Sequence, residues 1–174
     1  MDFEGHPLAG DKDTWNTVIE ECHATAEEYR DRGWTVFSPV PGDVVPVPGP
    51  GDSADEKAGL DVLLSSEEFD RLVKLVETNV FDEFEAFRAH ENGIVYLTLV
   101  FRATVTQTVF CLPLYYRVTE ADRMLNRVRA GHAMVTYCHD LSGSEQIEFN
   151  HDDPTPLFPP QDTEDSYADR NPHE

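Results

Sequence analysis

Residues 93–117 read G-I-V-Y-L-T-L-V-F-R-A-T-V-T-Q-T-V-F-C-L-P-L-Y-Y-R, and the fold turns on how they are parsed. The run 94–101 is apolar at both odd and even positions, so a strand there buries both of its faces. That is the mark of a central strand covered above and below. The run 108–116 follows a short polar turn, T-V-T-Q at 104–107, and is expected to pair with the first run. Pro113 lacks a backbone N–H, which predicts that this partner is an edge strand or carries a bulge. Immediately upstream, Asn92-Gly93 is a strong hairpin signal, and it predicts a strand from about Glu83 into the turn.

Working outward, Trp15, Val18, Ile19, Cys22, Ala26 and Tyr29 fall on one helical stripe, which predicts a helix from Asp11 stopped by Gly33. W-T-V-F at 34–37 and L-D-V-L-L at 60–64 read as short strands. S-S-E-E at 65–68 is a capping box opening a second helix, with Phe69, Leu72, Val73 and Val76 on its buried side. Thr119 is expected to cap a third helix with the stripe Ala121, Met124, Leu125 and Val128, closed by Gly131. A-M-V-T-Y-C-H at 133–139 and Q-I-E-F at 146–149 supply the last strands. The expected fold is α+β, a mostly antiparallel sheet centred on 83–118 with about three helices packed on it.

Two stretches resist this scheme. Between Ser38 and Gly59 there are five prolines and four glycines, so 38–59 is expected to be a long crossover loop. The competing reading is a lid or docking strip presenting Val44, Val45 and Val47. Residues 1–10 are expected to be flexible, 11–150 to form a single domain, and 151–174 to be a disordered acidic tail. Within the tail, Leu157 and Phe158 could tie it back to the domain or dock a partner, and the sequence leaves both open.

The charge balance is extreme, 34 Asp plus Glu against 13 Lys plus Arg, for a net of −21. The basic set is ten Arg and only Lys12, Lys57 and Lys74. Such self-repulsion weakens the compact state unless salt screens it, the Debye length falling to about 3 Å at 1 M ionic strength. The acid surplus therefore predicts adaptation to high salt, and it argues against nucleic acid as a partner. Met1 is followed by D-F-E-G-H rather than an apolar leader, and no run reaches the ~18 apolar residues of a membrane span. Three cysteines without C-x-x-C spacing fit reduced thiols, and the expected location is cytoplasmic.

The runs G-I-V-Y-L-T-L-V-F and V-F-C-L-P-L-Y-Y-R-V, set in so acidic a chain, resemble an uncharacterised protein family of halophilic archaea over about residues 11–150. The resemblance implies no activity and no catalytic residues.

Between Gly93 and His139 the acid surplus is inverted: five arginines stand against Glu120 and Asp122. Arg123 and Arg127 are one helical turn apart, with Arg117, Tyr116 and His132 close in sequence. Guanidinium forks suit phosphate or carboxylate, so Arg117, Arg123, Arg127, Tyr116 and His132 are the candidate anion site, His132 as an acid/base. The commoner circumstance is that such arginines pair with the protein's own carboxylates. His132, Cys138, His139 and His151 do not keep zinc-ligand spacing, and no nucleophile or phosphate-loop motif is present, so neither metal nor cofactor is expected. Two functions remain. The first is a non-enzymatic binding or interaction domain that dimerises through a sheet edge. The alternative is an enzyme or RNA-associated factor acting on a phosphorylated ligand through the arginines.

Overall fold

A computed structural model describes residues 12–49 and 57–159. The residues expected to be flexible at 1–10, and 160–174 of the expected tail, lie outside the described residues.

Helix α1 spans Lys12–Asp31 and buries Trp15, Val18, Cys22, Ala26 and Tyr29, the stripe that its 3.6-residue period predicts. It ends where Gly33 takes φ +89°, a conformation that costs glycine nothing. Strands β1 (Thr35–Phe37), β2 (Asp43–Val47) and β3 (Ala58–Leu63) follow. Helix α2 (Ser66–Thr78) starts at the expected capping box: the Ser65 hydroxyl accepts from the Glu68 amide, and the Glu68 carboxylate accepts from the Ser65 amide. Strands β4 (Glu83–Glu91) and β5 (Ile94–Ala103) form the expected hairpin, with Asn92 and Gly93 both at positive φ. Strand β6 (Thr108–Arg117), helix α3 (Asp122–Arg129) and strands β7 (Met134–His139) and β8 (Ile147–His151) complete the order.

The strands form two mixed four-stranded sheets, β1-β6-β5-β4 and β2-β3-β7-β8, rather than one mostly antiparallel sheet. Parallel pairs β1–β6 and β3–β7 make each sheet mixed. Both parallel pairs join segments far apart in the chain. A three-residue strand such as β1 carries too little pattern to announce its partner.

The two sheets face each other across the main core. Val95, Leu97, Leu99 and Phe101 of β5 point into it and meet Leu60 and Val62 of β3 and Phe149 of β8. On the opposite face of β5, Ile94 and Tyr96 pack with Trp15 and Val18, and Val100 packs with Cys22 and Ala26. Helix α1 thus covers the outer face of the first sheet, which is why β5 is apolar on both sides.

Three expectations are corrected by this arrangement. The proline-rich stretch is not bare loop, because β2 lies within it; β2 is the outer strand of its sheet, where proline is tolerated. Pro113 does not make β6 an edge along its whole length. Only Thr108–Phe110 pair with β1, so Pro113 falls on the stretch of β6 that has no partner on that side. Thr119 does not cap α3; it lies in a short 3₁₀ turn, Val118–Glu120, and Ala121 occupies the cap position without a side-chain bond.

The chain beyond β8 is also ordered further than expected. His151 and Leu157 are buried, and residues 152–158 form a strap carrying a 3₁₀ turn at Thr155–Leu157. The Tyr116 hydroxyl donates to the Leu157 carbonyl at 2.7 Å, and Arg88 Nη1 donates to the carbonyls of Thr155 and Phe158, each at 3.0 Å. Leu157 and Phe158 therefore tie this segment back to the domain.

Candidate functional site

The arginines and their neighbours occupy different settings. Tyr116 and Arg117 are successive residues of a strand and so face opposite ways. The Tyr116 ring is in the core, and its hydroxyl is used by Leu157. Arg127 is half-buried and donates to the Pro48 carbonyl at 3.1 Å, fastening the proline-rich stretch to α3. Arg123 is exposed, while Arg117 and His132 are half-buried. Arg102, on β5, meets several of the protein's own side chains. Arg102 binds Glu83 at 3.1 Å, Glu85 at 3.0 Å and the Tyr29 hydroxyl at 2.9 Å. Burial alone would lower its pKa, but these three partners outweigh that and raise it.

Histidine and cysteine are likewise dispersed. Cys22, Cys111 and Cys138 are all buried free thiols. Cys138 points into the core while His139 points outward, as adjacent strand residues must. His139 Nε2 lies 3.0 Å from Asp61 Oδ2, and its Nδ1 lies 2.7 Å from the Asp140 carbonyl. With an acceptor at each nitrogen the ring is best satisfied as imidazolium. Burial pulls its pKa down, but the bonds to Asp140 and Asp61 prevail and raise it. Among the described residues, no three His, Cys, Asp or Glu side chains are grouped to hold a metal ion. No described helix is long and apolar enough to cross a membrane.

The pronounced concavity forms where the outer strands of the two sheets, β4 and β8, part company. There a cleft of about 820 Å³ is bounded by β4, β8, the end of α2 and the strap. Its floor is aromatic. Phe84 of β4 lies 5.0 Å from Phe101, Phe101 lies 4.4 Å from Phe149, and Phe81 stands edge-on to Phe149 at 6.3 Å. Carboxylates stand around it: Asp82, Glu83, Glu85, Glu148, Asp152 and Asp153. Several are engaged already. Asp82 accepts from the Thr104 amide at 2.9 Å, Glu83 and Glu85 hold Arg102, Glu148 pairs with Lys57 at 3.2 Å, and Asp153 accepts from the Thr155 amide at 3.1 Å.

His151 is the polar residue at the base of this cleft. It is only 6% exposed, and its ring lies 4.7 Å from that of Phe84. Nε2 lies 2.8 Å from Thr136 Oγ1, whereas Nδ1 is buried with no hydrogen-bond partner among the described residues. Such an orphan costs about 1–3 kcal/mol. Burial pushes the pKa down to about 4, against the opposing pull of the Asp152 carboxylate, so the ring is neutral near pH 7.

In the sequence alone, His151 stands out only against zinc-ligand spacing, which it does not keep. A usable signal existed: Ile147, Phe149 and His151 alternate at period two, which puts the histidine on the core face one step beyond the expected end of the strand. The cleft itself had no such signal, because it depends on two sheet edges meeting.

A protein-family model described as a family of unknown function (DUF7529) matches residues 5–159. Among curated proteins and among solved structures, none matches this chain.

Proposed function

Since the chain belongs to that family of unknown function, we propose from its own geometry that it is a small non-enzymatic binding domain whose binding surface is the cleft between β4 and β8. The observation that carries this reading is His151 Nδ1, left without a partner beneath an aromatic floor. A cleft of about 820 Å³ lies in the range that holds a small molecule, and it combines an aromatic floor with a rim rich in carboxylates. Phe84, Phe149 and Pro156 supply the apolar contact. Chemical-shift mapping with a mixed library of small aromatic compounds tests the assignment. Shifts gathered on Phe84, Phe149 and His151 support it; shifts spread over the surface, or confined to α3, contradict it.

The acid surplus, net −21, supports adaptation to a salt-rich cytosol as in halophilic archaea. On that reading the denaturation midpoint rises steadily between 0.1 M and 3 M KCl. Equal stability across that range contradicts it.

A second reading, a homodimer through a sheet edge, is favoured by β4. It is a nine-residue outer strand with Phe87 half exposed. A two-fold axis through Ala86 sets Glu85 opposite Phe87 and Glu83 opposite Ala89, so no like charges meet. Light scattering of F87E against the parent tests this, with a dimer lost in the variant as the supporting result. The alternative of an enzyme or RNA-associated factor working through Arg117, Arg123 and Arg127 draws less support, because Arg127 is committed to the Pro48 carbonyl and the Tyr116 ring is inside the core.

A further inference from the structure

We propose that the ligand of the cleft is a small organic cation, a protonated amine carried on an apolar or aromatic body. This rests on the cleft being the binding surface and goes on to name the chemistry that it selects. Three features converge on it. First, the residues lining the cleft include six carboxylates and neither lysine nor arginine. Most of those acids are held by bonds of their own; Asp152 is exposed, and its charge is felt at the His151 ring. Second, the rings of Phe84, Phe101 and Phe149 line the cleft, and the face of such a ring attracts an ammonium group and repels an anion. Third, His151 is nearly fully buried and lines the cleft with a nitrogen that no described residue satisfies.

The Thr136 hydroxyl, 2.8 Å from Nε2, can accept or donate, and the cation assignment takes the tautomer in which Nε2 donates to Thr136 Oγ1 and Nδ1 is a bare lone pair. A neutral imidazole in that tautomer accepts a hydrogen bond and repels a carboxylate or phosphate. An ammonium N–H directed at Nδ1, beside Asp152 and over Phe84, meets an acceptor, a counter-charge and a ring together. Nδ1 is shielded from solvent in the empty cleft, so binding includes a small outward shift of the Phe84 ring or of Pro156 on the strap.

Three probes of one shape separate the outcomes: 2-phenylethylammonium, 2-phenylethanol and 3-phenylpropionate, each titrated while the His151 ring nitrogens are followed by ¹⁵N NMR. The expected result is at least tenfold tighter binding of the ammonium probe than of the other two, with an upfield change at His151 Nδ1 that Nε2 does not share. D152N, at an exposed position and checked for an unchanged fold by circular dichroism, is expected to narrow the tenfold preference. Equal binding of all three probes in the cleft overturns the cation assignment and leaves the binding surface standing. Preference for the propionate overturns it as well. If none of the three perturbs Phe84, Phe149 or His151, the binding surface itself is wrong and the cation assignment falls with it.

Discussion

The Tyr116 hydroxyl donates to the Leu157 carbonyl at 2.7 Å, joining the end of β6 to a strap that is 41 residues further along the chain. That bond is buried, and it fixes one wall of the cleft. Y116F removes the donor and leaves the Leu157 carbonyl bare. The expected cost is about 1–3 kcal/mol, read as a lower denaturant midpoint with faster amide exchange in residues 152–158. Leu157 is fully buried, and L157A is expected to cost about 2–5 kcal/mol.

His139 and Asp61 give a pH dependence of known sign. The folded pKa of His139 is raised above its ordinary 6.5, so the pair stabilises fully below that value and the contribution fades as pH rises through the folded pKa. D61N should lower stability at pH 6 and matter less by pH 9. A stability loss in D61N that is the same at both pH values contradicts the pairing.

His151 acts in the opposite direction. Its folded pKa is depressed from 6.5 to about 4, so the unfolded chain binds more protons between those values and stability falls as pH drops through that window. The shift corresponds to about 3 kcal/mol in full. H151F, which removes the titration, should flatten the stability profile between pH 4 and 6.5. T136V strips the one partner of Nε2 and is expected to cost a further 1–3 kcal/mol, on the order of one lost buried bond.

Gly59 marks the closest approach in the second sheet. A Cβ added there would lie 1.7 Å from the Val135 carbonyl oxygen, so β3 and β7 could not keep their register. G59A is expected to unfold the protein or shift its thermal midpoint down by about ten degrees or more, on the order of 3–5 kcal/mol. A soluble variant with an unchanged melting curve contradicts the parallel pairing.

Much of this architecture was legible in the residues themselves. Local signals carried the most: the period of α1, the Ser65–Glu68 capping box, and Asn92-Gly93 between two strand patterns. The two-faced apolar run of β5 also told that layers lie on both sides of it. What stayed hidden is non-local. Thr35–Phe37 finds Thr108–Phe110, and Ala58–Leu63 finds Met134–His139, through pairings that no short window encodes. Val44 sits on the core face of an edge strand although prolines surround it, because an outer strand needs backbone donors on one side only. The sequence drew attention to Arg123 and Arg127 because acid was scarce there. The more informative residue was His151, where a polar group was buried and left incomplete.

The central claim is that the space between β4 and β8 is a binding site, and Ala86, which lines it from the core-facing side of β4, offers the most direct test. Ligand-observed NMR with the same aromatic probes should be run on the parent and on A86W, which fills the cleft, with circular dichroism confirming an unchanged fold. The account predicts that probes bound by the parent are lost from the folded A86W variant. Undiminished binding by a folded A86W protein would contradict it.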